Sequence, residues 1–106
     1  MTGNEFLKRL PEVFNKDAAK SDELIFQYNI SQPTYVHIKD GVCTVVDGTA
    51  EKPNVTLTIT DENLIELMTG KLNGMTAFMS GKVKITGDMM LAQRAQQLFS
   101  VSKLGL

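Results

Sequence analysis

What the chain has little of narrows its chemistry first. Its 106 residues include one cysteine, Cys43, so an intrachain disulfide or a multi-cysteine zinc site is excluded, and a reducing compartment fits. A formal net charge of -1 supplies no overall field for a nucleic-acid backbone, which disfavours DNA or an acidic substrate as partner. Long apolar runs are missing too: Glu5, Lys8, Arg9, Glu12, Lys16 and Asp17 interrupt the first twenty residues, leaving nothing that reads as a signal peptide or membrane span. The expected protein is soluble and cytoplasmic. Asn29-Ile30-Ser31 and Asn54-Val55-Thr56 match the glycosylation sequon, but without secretion they read as chance matches inside strands.

Enzyme signatures are equally scarce. Gly81-Lys82 is not a phosphate loop, because Thr76 stands where the upstream glycine belongs and Val83 where the hydroxyl belongs. No G-x-S-x-G or dinucleotide glycine pattern occurs. Ser80 has no identifiable base, and the single histidine, His37, falls on the outward side of an expected strand. Asp61 and Glu62 are helix neighbours that do not converge, and capping accounts for both, as it does for Asp88. No catalytic residue, metal or cofactor is expected. Lys71, Lys82, Lys84 and Arg94 form either a weak basic surface able to touch anionic membranes or a solvated face.

What is present is a patterned order of short elements, expected to form one domain over residues 1–106. Phe6, Leu7, Leu10, Val13 and Phe14 recur at helical spacing, with Pro11 kinking or restarting the helix. Leu24, Phe26, Tyr28 and Ile30 alternate with Ile25, Gln27 and Asn29 as a strand, ended by Ser31-Gln32-Pro33. Asp40-Gly41 predicts a two-residue hairpin turn, whose register sets Ile38 opposite Cys43, Val36 opposite Val45, His37 opposite Thr44 and Lys39 opposite Val42. Val55, Leu57 and Ile59 alternate with threonines, so one face of the sheet is expected to be wet.

Thr60 or Asp61 can cap a helix carrying Leu64, Ile65, Leu67 and Met68, which Gly70 can end. Met75, Phe78 and Met79 mark a short helix, and Val83 and Ile85 a last strand between Gly81 and Gly87. Asp88 then caps a helix with Leu91, Ala95, Leu98 and Phe99 on one face. Amphipathic helices over a one-sided sheet imply two layers of an α+β fold. Met75, Met79, Met89 and Met90 put four flexible thioethers beside one strand, suited either to a surface that adapts to apolar shapes or to ordinary core.

In the order and spacing of these pieces the chain resembles the sterol carrier protein type 2 family from about Phe6 to Phe99. The resemblance is carried by Tyr35 to Gly41, by Val55 to Leu64 with Gly70, and above all by Ala77 to Asp88 leading into Leu91 and Leu98-Phe99. It implies a five-stranded, mostly antiparallel sheet with helices on one face enclosing an apolar tunnel for fatty acid, acyl-CoA, sterol or isoprenoid. It implies no catalytic residue. The inward positions that are candidates for the tunnel wall are Phe14, Phe26, Leu67, Met68, Met75, Phe78, Met79, Val83, Ile85, Met89, Met90, Ala95, Leu98 and Phe99.

Three positions depart from the family pattern. Gly74 stands where many members have proline, His37 where others carry a small or acidic residue, and Ser102-Lys103-Leu104 is not terminal, as a peroxisomal tripeptide must be. The expected function is noncovalent lipid binding and transfer, with transient membrane or enzyme contact. Two alternatives are an accessory protein presenting a prenylated or acylated intermediate to biosynthetic enzymes, and a small hydrolase.

Overall fold

The computed structural model describes residues 1–19 and 22–106. Helix α1 (Gly3–Lys8) opens with a capping box: the Thr2 hydroxyl accepts from the Glu5 N–H, and the Glu5 carboxylate accepts from the Thr2 N–H at 2.7 Å. It stops short of Pro11, and the chain resumes as a 3-10 turn (Leu10–Val13) with Pro11 in its first positions, where no N–H is needed. A one-turn helix, α2 (Lys16–Ala19), precedes the sheet.

Strands β1 (Leu24–Asn29), β2 (Thr34–Lys39), β3 (Val42–Asp47), β4 (Val55–Ile59) and β5 (Val83–Gly87) form one sheet in the order β3-β2-β1-β4-β5. Every pairing is antiparallel except β1 with β4. The β2–β3 register is the one the Asp40-Gly41 turn predicts, and both turn residues have positive φ, 54° and 75°. At the far edge Gly87 is irreplaceable for steric reasons: a Cβ there would lie 2.6 Å from the Asn54 carbonyl oxygen, and its φ is +100°.

Helices α3 (Asp61–Met68), α4 (Gly74–Met79) and α5 (Met89–Leu98) pack with α1 on one face of the sheet, followed by a second 3-10 turn (Val101–Leu104). Phe26, Val36, Ile38 and Val55 meet Phe6, Leu7, Leu10, Leu64 and Leu98 in a fully buried layer. The opposite face is less wet than its alternation predicts. Gln27 is 1% exposed, because the 48–54 connection between β3 and β4 brings the Ala50 N–H to its Oε1 at 2.8 Å and the Gly48 carbonyl to its Nε2 at 3.2 Å. Among the described residues no helix is long and apolar enough to cross a membrane.

Thr60, rather than Asp61, caps α3, its hydroxyl accepting from the Asn63 N–H. This frees the Asp61 carboxylate to accept from the Gly3 N–H, the Ser31 N–H and the Ser31 hydroxyl at 2.7 to 2.9 Å, tying the start of α1 to the start of α3. Partial desolvation pushes the Asp61 pKa up, but the hydrogen bonds from Ser31 and Gly3 outweigh it and hold the carboxyl below its ordinary range. Its contribution to stability is therefore full above pH about 4 and is lost as pH falls through the lowered folded value. Asp61→Asn should cost about 1 to 2 kcal/mol at neutral pH and flatten the acid limb of a urea-denaturation series; an unchanged acid limb would remove Asp61 from this role.

Candidate functional site

The sheet and the three later helices do not close on one another. Between them lies a cavity of about 350 Å³, at the lower end of the usual range for ligand pockets. Its floor is set by strand register: Tyr28 of β1 pairs with Leu57 of β4, and Leu57 with Ile85 of β5, so the three side chains form one cross-strand row on the helix-facing side. Val83 extends it. Leu64, Leu67 and Met68 of α3 supply one wall, and Asn73 with Gly74, Met75 and Phe78 of α4 another. Met89, Ala92, Gln93, Ala95 and Gln96 of α5 close the third side. The opening is marked by Met75, Phe78 and Met89, which are 62%, 41% and 42% exposed.

Local chemistry explains the placement of each wall. Asn73 caps α4, its side-chain oxygen accepting from the Thr76 N–H at 3.1 Å, and Gly74 is the first helical residue. Gly74 is thus held in the first turn of the helix and lines the cavity. Asp88 caps α5 through the Leu91 N–H. Gln96 donates from Nε2 to the Leu67 carbonyl at 3.2 Å, joining α5 to α3 across the site. Among the described residues no aspartate, glutamate, lysine, arginine or histidine is in the wall. The one ionisable group among the described wall residues is Tyr28, whose phenol burial pushes up, with the nearby Cys43 thiol adding to the shift, so it stays a neutral hydroxyl.

Of the wall residues named from the sequence, the structure brings Leu67, Met68, Met75, Phe78, Val83, Ile85, Met89 and Ala95 together around this space. Six others lie elsewhere. Phe26 and Leu98 are fully packed core away from the cavity. Phe14 and Phe99 face one another in a short bridge, ring centroids 5.7 Å apart, which Asn15 and Ser100 complete by hydrogen bonds to the backbone on the opposite side. Met79 and Met90 point to solvent, 78% and 72% exposed, because α4 and the start of α5 turn only one side to the sheet.

Tyr28, Leu57, Leu64, Asn73, Gly74, Ala92, Gln93 and Gln96 also line the cavity, unforeseen from the sequence. For α5 the signal was there: Met89, Ala92, Gln93 and Gln96 recur at i, i+3, i+4 and i+7. Two glutamines disguised that face as a solvated one.

The candidate catalytic groups do not converge. His37 sits on β2 with Nε2 2.8 Å from the Glu23 carboxylate, while Ser80, in the turn before β5, donates to the Ala77 carbonyl. Three strand spacings, roughly 14 Å, separate β2 from β5. No cluster of three His, Cys, Asp or Glu side chains suited to a metal occurs among the described residues.

Comparison with known proteins adds identity to this geometry. The profile of the SCP-2 sterol transfer family matches residues 4–100. The chain is 44% identical over 75 residues to peroxisomal multifunctional enzyme A of Dictyostelium discoideum, covering 70% of this chain, and 36% identical over 99 residues to sterol carrier protein 2 of Oryctolagus cuniculus, covering 91%. It spans 17% of the length of either relative.

Among solved structures, the sec-alkylsulfatase Pisa1 from a Pseudomonas species superposes with a TM-score of 0.86 at 24% identity, over 93% of this chain and 16% of that one. The sterol carrier protein domain 2 of Helicoverpa armigera gives 0.66 at 31% identity, over 90% and 80%. Sterol carrier protein 2 of Aedes aegypti, solved in complex with the C16 fatty acid palmitate, gives 0.69 at 14%, over 95% and 97%.

The thiol of Cys43 offers a check on its own burial. Burial pushes its thiol up to about 11. Alkylation of the folded protein by iodoacetamide should therefore be slow at neutral pH and accelerate about tenfold per pH unit towards 11. Rapid labelling at pH 7, with the fold intact by circular dichroism, would contradict the burial argument.

Proposed function

The chain belongs to the SCP-2 sterol transfer family, and from that premise we propose that its cavity binds one lipid noncovalently and carries it, the candidates being fatty acid, acyl-CoA, sterol and isoprenoid. The observation that carries this reading is a wall that, among the described residues, is free of formal charge and opens through methionine and phenylalanine. Such a wall gains from apolar area and asks little of ligand shape, because thioether side chains repack. Burying about ten methylenes contributes roughly 8 kcal/mol, a micromolar affinity before ordering costs. The palmitate bound by the Aedes aegypti protein supports an acyl chain as one occupant.

The polar groups in the wall suit an orienting role rather than a reactive one. Asn73 and Gln96 already hold the backbone of α4 and α3, and the Tyr28 hydroxyl is kept protonated. Nothing in this arrangement activates an ester or moves a proton, so the role we assign is noncatalytic. A second reading, an accessory protein presenting a prenylated or acylated intermediate to biosynthetic enzymes, draws support from similar chains that are themselves longer enzymes. In that case the same cavity would hold the chain while a partner reacts with the exposed head.

A fluorescent long-chain fatty acid should titrate to saturation near one per chain. Ala92→Trp, which puts an indole into the cavity from a half-buried position, should weaken binding at least tenfold, about 1.4 kcal/mol, while lowering Tm little. Ser80→Ala and His37→Ala should leave the affinity within about threefold. Absence of saturable binding to fatty acid, acyl-CoA, sterol and isoprenoid probes would overturn carriage, and stable co-purification with biosynthetic enzymes would favour the accessory role.

A further inference from the structure

We propose that the Tyr28 hydroxyl is a hydrogen-bonding subsite at the closed end of the cavity, selecting lipids that carry a neutral oxygen at the end that enters first. The floor row runs from the edge of the sheet to its centre, and exposure falls along it. Ile85 of β5 is half-buried, Leu57 of β4 is 5% exposed and Tyr28 of β1 is 1% exposed. Asn73, Gln93 and Gln96 are exposed residues at the mouth. Among the described wall residues Tyr28 therefore bears the deepest polar group.

That hydroxyl is uncommitted. Asn73 and Gln96 hold backbone groups of α4 and α3, whereas the Tyr28 oxygen has no hydrogen-bond partner among the described residues. Among the described buried residues no side-chain oxygen or nitrogen is both shielded from open space and without a partner. The phenol oxygen must then touch open space, and for a residue this buried, which lines the cavity, that space is the cavity. Phe26 holds the ring in this attitude, stacked on it at 17° with centroids 6.5 Å apart.

A lone donor in that position sets a preference. A saturated chain end leaves it bare, while a hydroxyl, carbonyl or ether oxygen accepts from it and so offsets its own desolvation. Burial favours the neutral phenol, which keeps the proton available for donation. A carboxylate fits badly, because the described wall has no cation and one neutral donor satisfies few of its lone pairs. The acid group of a fatty acid thus stays at the mouth, beside the Gln93 and Gln96 amides, and the far end of the chain meets Tyr28. This rests on the lipid-carrying reading and adds to it which end goes in first and what that end carries.

Calorimetric titration of laurate, palmitate and their ω-hydroxy forms into the unaltered chain and into Tyr28→Phe tests it. The variant keeps the ring and the shape of the floor. For at least one chain length the ω-hydroxy acid should lose about tenfold in affinity on Tyr28→Phe, while the plain acids change by less than about threefold. Tm of the ligand-free variant should not fall, because the hydroxyl bonds to nothing in the empty protein.

Plain acids that bind while the substitution affects neither form, or weakens both forms equally, would overturn the subsite. A lower Tm for ligand-free Tyr28→Phe would do the same, by making the hydroxyl a structural partner. Failure of every titration, plain acids included, would instead sink the carrier reading on which the subsite rests.

Discussion

The parallel junction between β1 and β4 is the constraint on which the other features rest. It is the one place where the chain does not fold back on its neighbour, so β2 and β3 must be completed first and the chain must return across the sheet through residues 48–54. That return buries Gln27 and satisfies its amide on both sides. The same junction sets Tyr28 beside Leu57, and thereby the cavity floor. A slip of one residue would turn every floor side chain to the opposite face.

Above that floor the helices are held apart by what fixes their ends. Asn73 and Asp88 set where α4 and α5 begin, and the Gln96 side chain holds α5 to the end of α3. The apolar residues that would close a solid core are spent elsewhere. Phe14 and Phe99 meet at a tilt of 43° at the chain's bridge, and Leu98 with Phe26 belongs to the buried core. The space left is lined by side chains that tolerate being partly wet, which is why the opening is rich in methionine.

Much of this was legible in the sequence, and the line between what was and what was not is physical. The Asp40-Gly41 turn determines its own register, because two residues with positive φ permit one pairing, and every opposition in that hairpin followed. Caps such as Asp88 are local and readable for the same reason. The β1–β4 pairing joins residues some thirty positions apart and has no local signal, so Tyr28 and Leu57 could not be placed beside Ile85. Met79 was read as inward because a six-residue helix has too few turns to reveal its inner side, and Met90, in the first turn of α5, because an apolar side chain looks inward by default. Of the two caps read for α3, Thr60 or Asp61, the hydroxyl takes the role, and the partners of Asp61, Gly3 and Ser31, lie far away in the chain.

The bridge between Phe14 and Phe99 has a further consequence for how the molecule is made. Asn15 and Ser100 bond to each other across 85 positions, and the Asn15 N–H reaches the Leu98 carbonyl at 2.7 Å. On a ribosome the segment bearing Phe14 emerges before the sheet and then waits for all five strands and α5 before its partner exists. Its ring is apolar and unpaired throughout that interval. A segment made before the sheet is thus among the last to be locked, and synthesis of the residues around Phe99, rather than completion of the sheet, ends the exposure.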